Sequence, residues 1–259
     1  MSLNFASTDN VVTTDSSSIQ NLTAFSCLFW IYPTSDTGQN RKLYTKSAGS
    51  FPKVFRFHNS NNARNVHFQI PRTTTEANFA VALSVNDVLT ANEWQFYAGT
   101  YDDSGSDAAS TINIYRGLLN STAAEVTYAT HNAGSGSTEN DSGNDLFYGA
   151  SAVNQTLLGY CAIFALVARY LSLQEVISWQ WNPRVIADTR IFQIYGYNGT
   201  STQPDWSGNG NSGTVTGATV AGHVPLRPPF GGIAGWRGAY TAPAAASTNP
   251  SRLLLMGVG

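Results

Sequence analysis

The stretch Trp94-Gln95-Phe96-Tyr97-Ala98-Gly99-Thr100-Tyr101 reads as a β-strand, and Asp102-Asp103-Ser104-Gly105 reads as the turn that ends it. Aromatic and β-branched residues suit a pleated, half-buried surface. Asp, Ser and Gly accept the backbone angles of a tight turn. The same alternation of short apolar runs and polar turns continues on both sides. Upstream, Phe25, Cys27, Phe29 and Ile31 fall on one face of a strand that Pro33 closes, and Lys42–Lys46 follows as another. Val54–Phe57 and Val66–Ile70 flank Asn59-Ser60-Asn61-Asn62, a hairpin signal. Downstream, Ile112 and Ile114 alternate with polar neighbours up to Arg116-Gly117. Leu146–Gly149 and the long apolar run Tyr160–Tyr170 complete the series. That last run is apolar on both faces, which places it at a sheet centre.

One helix is expected. Ser172 and Glu175 form a capping box, Leu173, Val176, Ile177 and Trp181 follow helical spacing, and Asn182-Pro183 stops the run. A single short helix among many strands excludes alternating strand–helix folds. The fold class is therefore all-β: a two-sheet antiparallel jelly-roll sandwich with one short helix and an extended C-terminal arm. Residues 1–240 are assigned to the sandwich domain and 241–259 to the arm. Residues 131–145 read as a long polar loop. The arm, Ala242 to Pro250, lacks any core face and ends in Leu253, Leu254, Leu255 and Met256, an apolar anchor expected to dock in assembly.

The chain has 259 residues, 12% of them charged and 12% aromatic, with a net charge of −2. Without a Lys/Arg cluster, nucleic-acid binding by phosphate neutralisation is not expected. No apolar run is long enough for a membrane helix, and the N-terminus carries no basic, apolar leader, so neither a membrane nor a signal peptide is expected. Cys27 and Cys161 each sit in an apolar run. They read as buried thiols, with a disulfide open if their strands are neighbours.

Candidate site residues are few. Tyr195, Tyr197 and Trp206 cluster near Asn198 and Asp205, and aromatic faces beside amide and carboxylate groups are what sugar binding needs. The plainer alternative is that these rings are core or subunit-contact residues. Asp205, Asn209 and Asn211 could supply oxygens to Ca²⁺. Their plainer reading is an Asx/Gly turn, and no other cofactor is expected. No catalytic residue is assigned. The chain has five Glu, at 76, 93, 125, 139 and 175, and the paired carboxylates of a retaining glycosidase are missing. Glu139-Asn140-Asp141 only begins such a pattern, with Asn144 where the acid should stand.

Several segments together resemble the laminin-G-like, concanavalin A-like jelly roll. Leu3-Asn4-Phe5 is similar to that family's first strand, and Phe25–Pro33 to its aromatic strand ending in Pro. Trp94–Asp102 resembles its Trp…Ala-x-Thr-Tyr-Asp strand, and Tyr160–Glu175 its late strand and Leu-Ser-x-x-Glu helix. Asp205–Thr214 resembles an Asp-x-Ser-Gly-Asn-Gly motif that the family carries near a domain's N-terminal side. Its place here near the C-terminus leaves a permuted strand order open. Asn182-Pro183-Arg184 and Arg227–Phe230 resemble segments of phage virion proteins. That resemblance implies a non-enzymatic virion structural protein, a capsid decoration or tail/fibre protein assembled in the host cytoplasm. Its implied partners are a major capsid or tail protein, copies of itself as a homo-oligomer, and a surface glycan. The alternative is a carbohydrate-binding module or lectin, and more remotely a glycoside hydrolase.

Overall fold

The computed structural model describes residues 2–6, 8–35, 41–48, 51–58, 64–72, 78–149 and 157–222. Residues 1–227 form one compact unit. The sequence boundary at residue 240, the arm at 241–259 and its anchor Leu253–Met256 lie outside the described residues.

The chain builds β1 (Ser2–Phe5), β2 (Asn10–Thr13), β3 (Ala24–Pro33), β4 (Arg41–Ala48), β5 (Phe51–His58), β6 (Asn65–Ile70), β7 (Ala80–Ser84) and β8 (Gln95–Asp102). There follow α1 (Ala108–Thr111), β9 (Ile112–Leu118), β10 (Ser121–Glu125), β11 (Tyr128–Asn132), β12 (Leu146–Gly149), β13 (Gly159–Val167) and α2 (Leu173–Trp181). The last strands are β14 (Thr189–Ile194), β15 (Gly213–Thr216) and β16 (Thr219–Ala221). Two eight-stranded antiparallel sheets result. The first runs β10-β9-β8-β3-β13-β1-β16, with β14 also on β13, and the second runs β11-β7-β6-β5-β4-β12-β2-β15. The C-terminal strands join the N-terminal ones: β16 pairs β1 in one sheet and β15 pairs β2 in the other.

The inner faces meet in an aromatic core. Phe29 stacks on Phe164 at 5.3 Å and lies 5.3 Å from Phe55. Gly99 sits opposite: a Cβ there would stand 2.9 Å from the Phe55 ring, so the deciding strand needs glycine where the opposite sheet presses in. Both faces of β13 are buried because the outer face of its sheet carries a second core. There α2 lays Trp179 against Phe96 and Phe192, with ring centroids 6.0 and 6.1 Å apart. Buried Gln180 clips the helix down. Its amide donates to the carbonyls of Leu118 and Ser121 and accepts from the Ala123 N–H, while its own carbonyl accepts from the Trp30 indole. The expected capping box of Ser172 and Glu175 is present.

Three expectations need correction. The apolar run from Tyr160 leaves the sheet at Val167, because Arg169 and Tyr170 turn toward Glu175, Asp188 and Asn113. A second, four-residue helix, α1, is held by a capping box of Asp107 and Ser110. Finally, the polar stretch 131–145 is no solvated loop throughout. His131 and Asn132 belong to β11, and Asp141 is buried.

Asp141 closes one end of the inter-sheet space, near the β4–β5 turn. Lys46 and Lys53 face each other across β4 and β5 on the side of Tyr44 and Phe55. Both are fully buried. Lys53 Nζ donates to Asp141 at 2.6 Å, and Lys46 Nζ donates to Asp15 and, at 2.7 Å, to the Asn144 carbonyl. Asp15 also accepts from Gln20 and the Gly143 N–H, and Asp141 from the Asn21 N–H. Two cations and two anions thus cancel at this end of the sandwich, with each carboxylate oxygen accepting at least one hydrogen bond. Cys27 and Cys161 are free and buried on neighbouring strands, opposite Leu166 and Ile31 rather than each other.

Candidate functional site

The stretch after β14 holds the residues singled out from sequence. β14 hands the chain to Tyr195, whose N–H donates to the Ala162 carbonyl. A turn at Gly196 follows, with φ +76°, where a Cβ would stand 2.6 Å from the Ser2 carbonyl oxygen. Only glycine meets both demands. This geometry sends the two tyrosines to opposite fates. Tyr195 points into the core, 1% exposed, with its ring 5.3 Å from Tyr148 and 6.2 Å from Phe5. It therefore offers no face to a ligand, which corrects the sequence assignment. Tyr197 lies outside, 52% exposed, and meets Trp206, 45% exposed, edge to face at 5.0 Å and 89°.

The support beneath this pair is rigid. Buried Gln203, which sequence reasoning missed, accepts from the Gly196 N–H and donates to the carbonyls of Gly199 and Ser201. No local pattern marks such a glutamine, because its partners converge only after the loop closes. Trp206 is fixed by its own N–H, which donates to the Phe192 carbonyl at 2.8 Å.

Asp205, Asn209 and Asn211 do come together, as a hydrogen-bonded knot. The Asp205 carboxylate accepts from the backbone N–H groups of Phe192, Ser207 and Asn211 and from the Ser207 hydroxyl, at 2.8–3.0 Å. Asn209 turns its amide N–H to the Thr189 carbonyl and the Ser207 hydroxyl. Asn211 donates to the Arg190 carbonyl and Ser18, and accepts from Ser16. The Asp205 carboxylate and the Asn211 side-chain oxygen already accept hydrogen bonds, as they would in an Asx/Gly turn. Among the described residues, no three His, Cys, Asp or Glu side chains converge as metal ligands.

The described glutamates are dispersed. Glu93 meets Arg116 at 3.3 Å. Glu175 caps α2 and pairs with Arg169 at 2.8 Å. Burial alone would raise its pKa, but the Ser172 N–H and hydroxyl and the Arg169 cation together hold it below the usual value. Asp141, the acidic end of the partial glucanase-like pattern, is sealed against Lys53. No accessible carboxylate pair flanks a cleft among the described residues, whereas retaining glycosidases need two such groups roughly 5 Å apart.

The family model of the concanavalin A-like lectin/glucanases superfamily, Laminin_G_3, matches residues 5–177, and the chain belongs to that family. No curated protein matches it significantly. Among solved structures it is similar to a Bacteroides ovatus protein described as carbohydrate-binding. That match has 12% identity and a TM-score of 0.56, and covers 86% of this chain and 59% of that one. The chain thus spans under two thirds of that relative's length. It is also similar to the CBM40 of the Ruminococcus gnavus IT-sialidase bound to α2,3 sialyllactose, at 13% identity and TM-score 0.44. This match covers 68% of this chain and 94% of that one. At these identities the likeness is one of fold.

Proposed function

We propose that the chain is a non-catalytic glycan-binding domain whose ligand seats on Tyr197 and Trp206. The observation that carries this reading is the exposed, perpendicular ring pair held on a turn with no slack of its own. Large aromatic faces left in solvent lose burial energy unless something covers them. Sugar rings present apolar C–H faces suited to such cover, and the pair is preorganised, so little conformational entropy is lost on binding. Membership in a lectin/glucanase family and the dispersed carboxylates support binding without hydrolysis. Glycan-array screening of the full chain, followed by titration of Trp206→Ala and Tyr197→Ala, tests this. Binding at least tenfold weaker in either variant, with unchanged thermal stability, is the expected result; tenfold corresponds to about 1.4 kcal/mol. Absence of any glycan ligand, or unchanged affinity in the double variant, would refute it.

The virion setting, in which such a domain decorates a capsid or tail and contacts its major protein, rests on Asn182-Pro183-Arg184 and Arg227–Phe230. It would be tested by mass spectrometry of purified particles. Absence of the chain from them would remove that setting and leave glycan binding intact.

A further inference from the structure

At one end of the first sheet's outer face, beyond Trp30, the register aligns a row of side chains from separate strands. Tyr32 pairs with Tyr160, Tyr160 with Asn4, and Asn4 with Thr219. Directly paired residues share a face. All four therefore point to the side of Trp30, two residues before Tyr32. Trp94 comes in just ahead of β8. The Tyr32 and Tyr160 rings stack at 5.2 Å and 21°, and the indole lies 5.6 Å from Tyr32 and 6.4 Å from Tyr160. The three rings and Asn4 are half-buried, and Thr219 is exposed.

Their polar ends distinguish this row from ordinary core. Several core rings use such groups internally: the Trp30 indole donates to Gln180, the Trp179 indole to Arg184 and the Tyr97 hydroxyl to Val88, although the buried Tyr148 hydroxyl has no partner among the described residues. In the row, the Tyr32 and Tyr160 hydroxyls, the Trp94 indole N–H, the Asn4 amide and the Thr219 hydroxyl make no hydrogen bond among the described residues. Rings that merely sealed the sheet end would need no polar tips. The row itself holds no charge, and the carboxylate of Glu93, next to Trp94, is engaged by Arg116.

We infer that Trp94, Tyr32, Tyr160, Asn4 and Thr219 form a second glycan site, specific for an uncharged sugar residue. The rings would take its C–H face, and the unused amide, hydroxyl and indole groups its hydroxyls. The site is joined to the first through β1: Gly196, beside Tyr197, packs on Ser2, about 7 Å along the strand from Asn4. The inference rests on the glycan-binding reading, but not on the Tyr197–Trp206 seat.

Indole ¹H–¹⁵N spectra of the full chain separate the two. The six tryptophans give six signals, and Trp94→Phe and Trp206→Phe assign the two that matter. The probes are neutral gluco-, xylo-, manno- and galacto-oligosaccharides at millimolar concentration. A saturable shift of the Trp94 signal by at least one of them, retained in Trp206→Ala, is the expected result. A moving Trp206 signal beside a static Trp94 overturns this site and leaves the first standing. A Trp94 shift abolished by Trp206→Ala also overturns it, since the effect would then be indirect. If no oligosaccharide moves either signal, this second site falls, and the Tyr197–Trp206 seat is left to the glycan array.

Discussion

Two polar regions of this sandwich handle their functional groups in opposite ways. In the Lys46–Lys53–Asp15–Asp141 cluster every charge is matched and every carboxylate oxygen accepts a hydrogen bond, with Lys46, Lys53 and Asp141 buried and Asp15 at the margin. Around Tyr197 and Trp206 the knot of Asp205, Gln203 and Asn211 is equally saturated, yet it lifts two large rings into water. Saturation in the first case closes the end of a core; in the second it stiffens a platform. Chemistry-bearing residues are therefore no guide to function by type alone. What separates the regions is whether a group has anything left to offer.

Stability and binding should respond in opposite order. Lys53→Met leaves the Asp141 carboxylate buried beside a lost partner and is expected to cost about 3–5 kcal/mol, read from urea unfolding. A cost below about 1 kcal/mol would mean that water reaches the cluster and that it is no internal seal. Asp205→Ala comes next. Four donors lose their acceptor in a partly exposed turn, which should cost about 2–3 kcal/mol and weaken glycan binding through a loosened Trp206. Loss of stability with full affinity would uncouple the knot from the platform.

Acid sharpens the same contrast. Burial by itself would raise the Asp15 carboxyl, but the Lys46 ammonium, the Gln20 amide and the Gly143 N–H together hold it below its ordinary value. A carboxylate depressed in the folded state contributes stability above its unfolded value, near 3.9, and loses it as pH falls through the folded one. The urea midpoint should accordingly drop below about pH 4, and Asp15→Asn should make that drop shallower. An unchanged acid limb in the variant would show that the cluster does not set it.

At the small end stand Trp206→Ala and Tyr197→Ala, expected to change stability by no more than about 0.5 kcal/mol while abolishing most binding. The two thiols should be equally quiet: burial pushes both Cys27 and Cys161 well above the normal thiol range, so native protein should label with a disulfide reagent only as fast as it opens. Rapid labelling of the folded chain would contradict their place in the core.

Local sequence determined the strands, because alternation, turn residues and the Ser172–Glu175 box act over a few positions at a time. The Trp94–Asp102 stretch carries its inward face, its glycine and its turn in order, and the apolar continuity of β13 already implied cover on both sides. Sequence also brought Tyr197 and Trp206 together, since nine positions separate them within one loop. It could not rank Tyr195 against Tyr197: two like residues two positions apart take opposite directions because the turn at Gly196 must clear the Ser2 carbonyl. Nor could it show that Asp141 of an apparently polar loop answers Lys53, or that Asn4, Tyr32, Trp94, Tyr160 and Thr219 share one row. Those relations join residues from 62 positions apart, as Tyr32 and Trp94, to 215, as Asn4 and Thr219. They exist only once strand register is set, and register is fixed by how the two inner faces pack against each other.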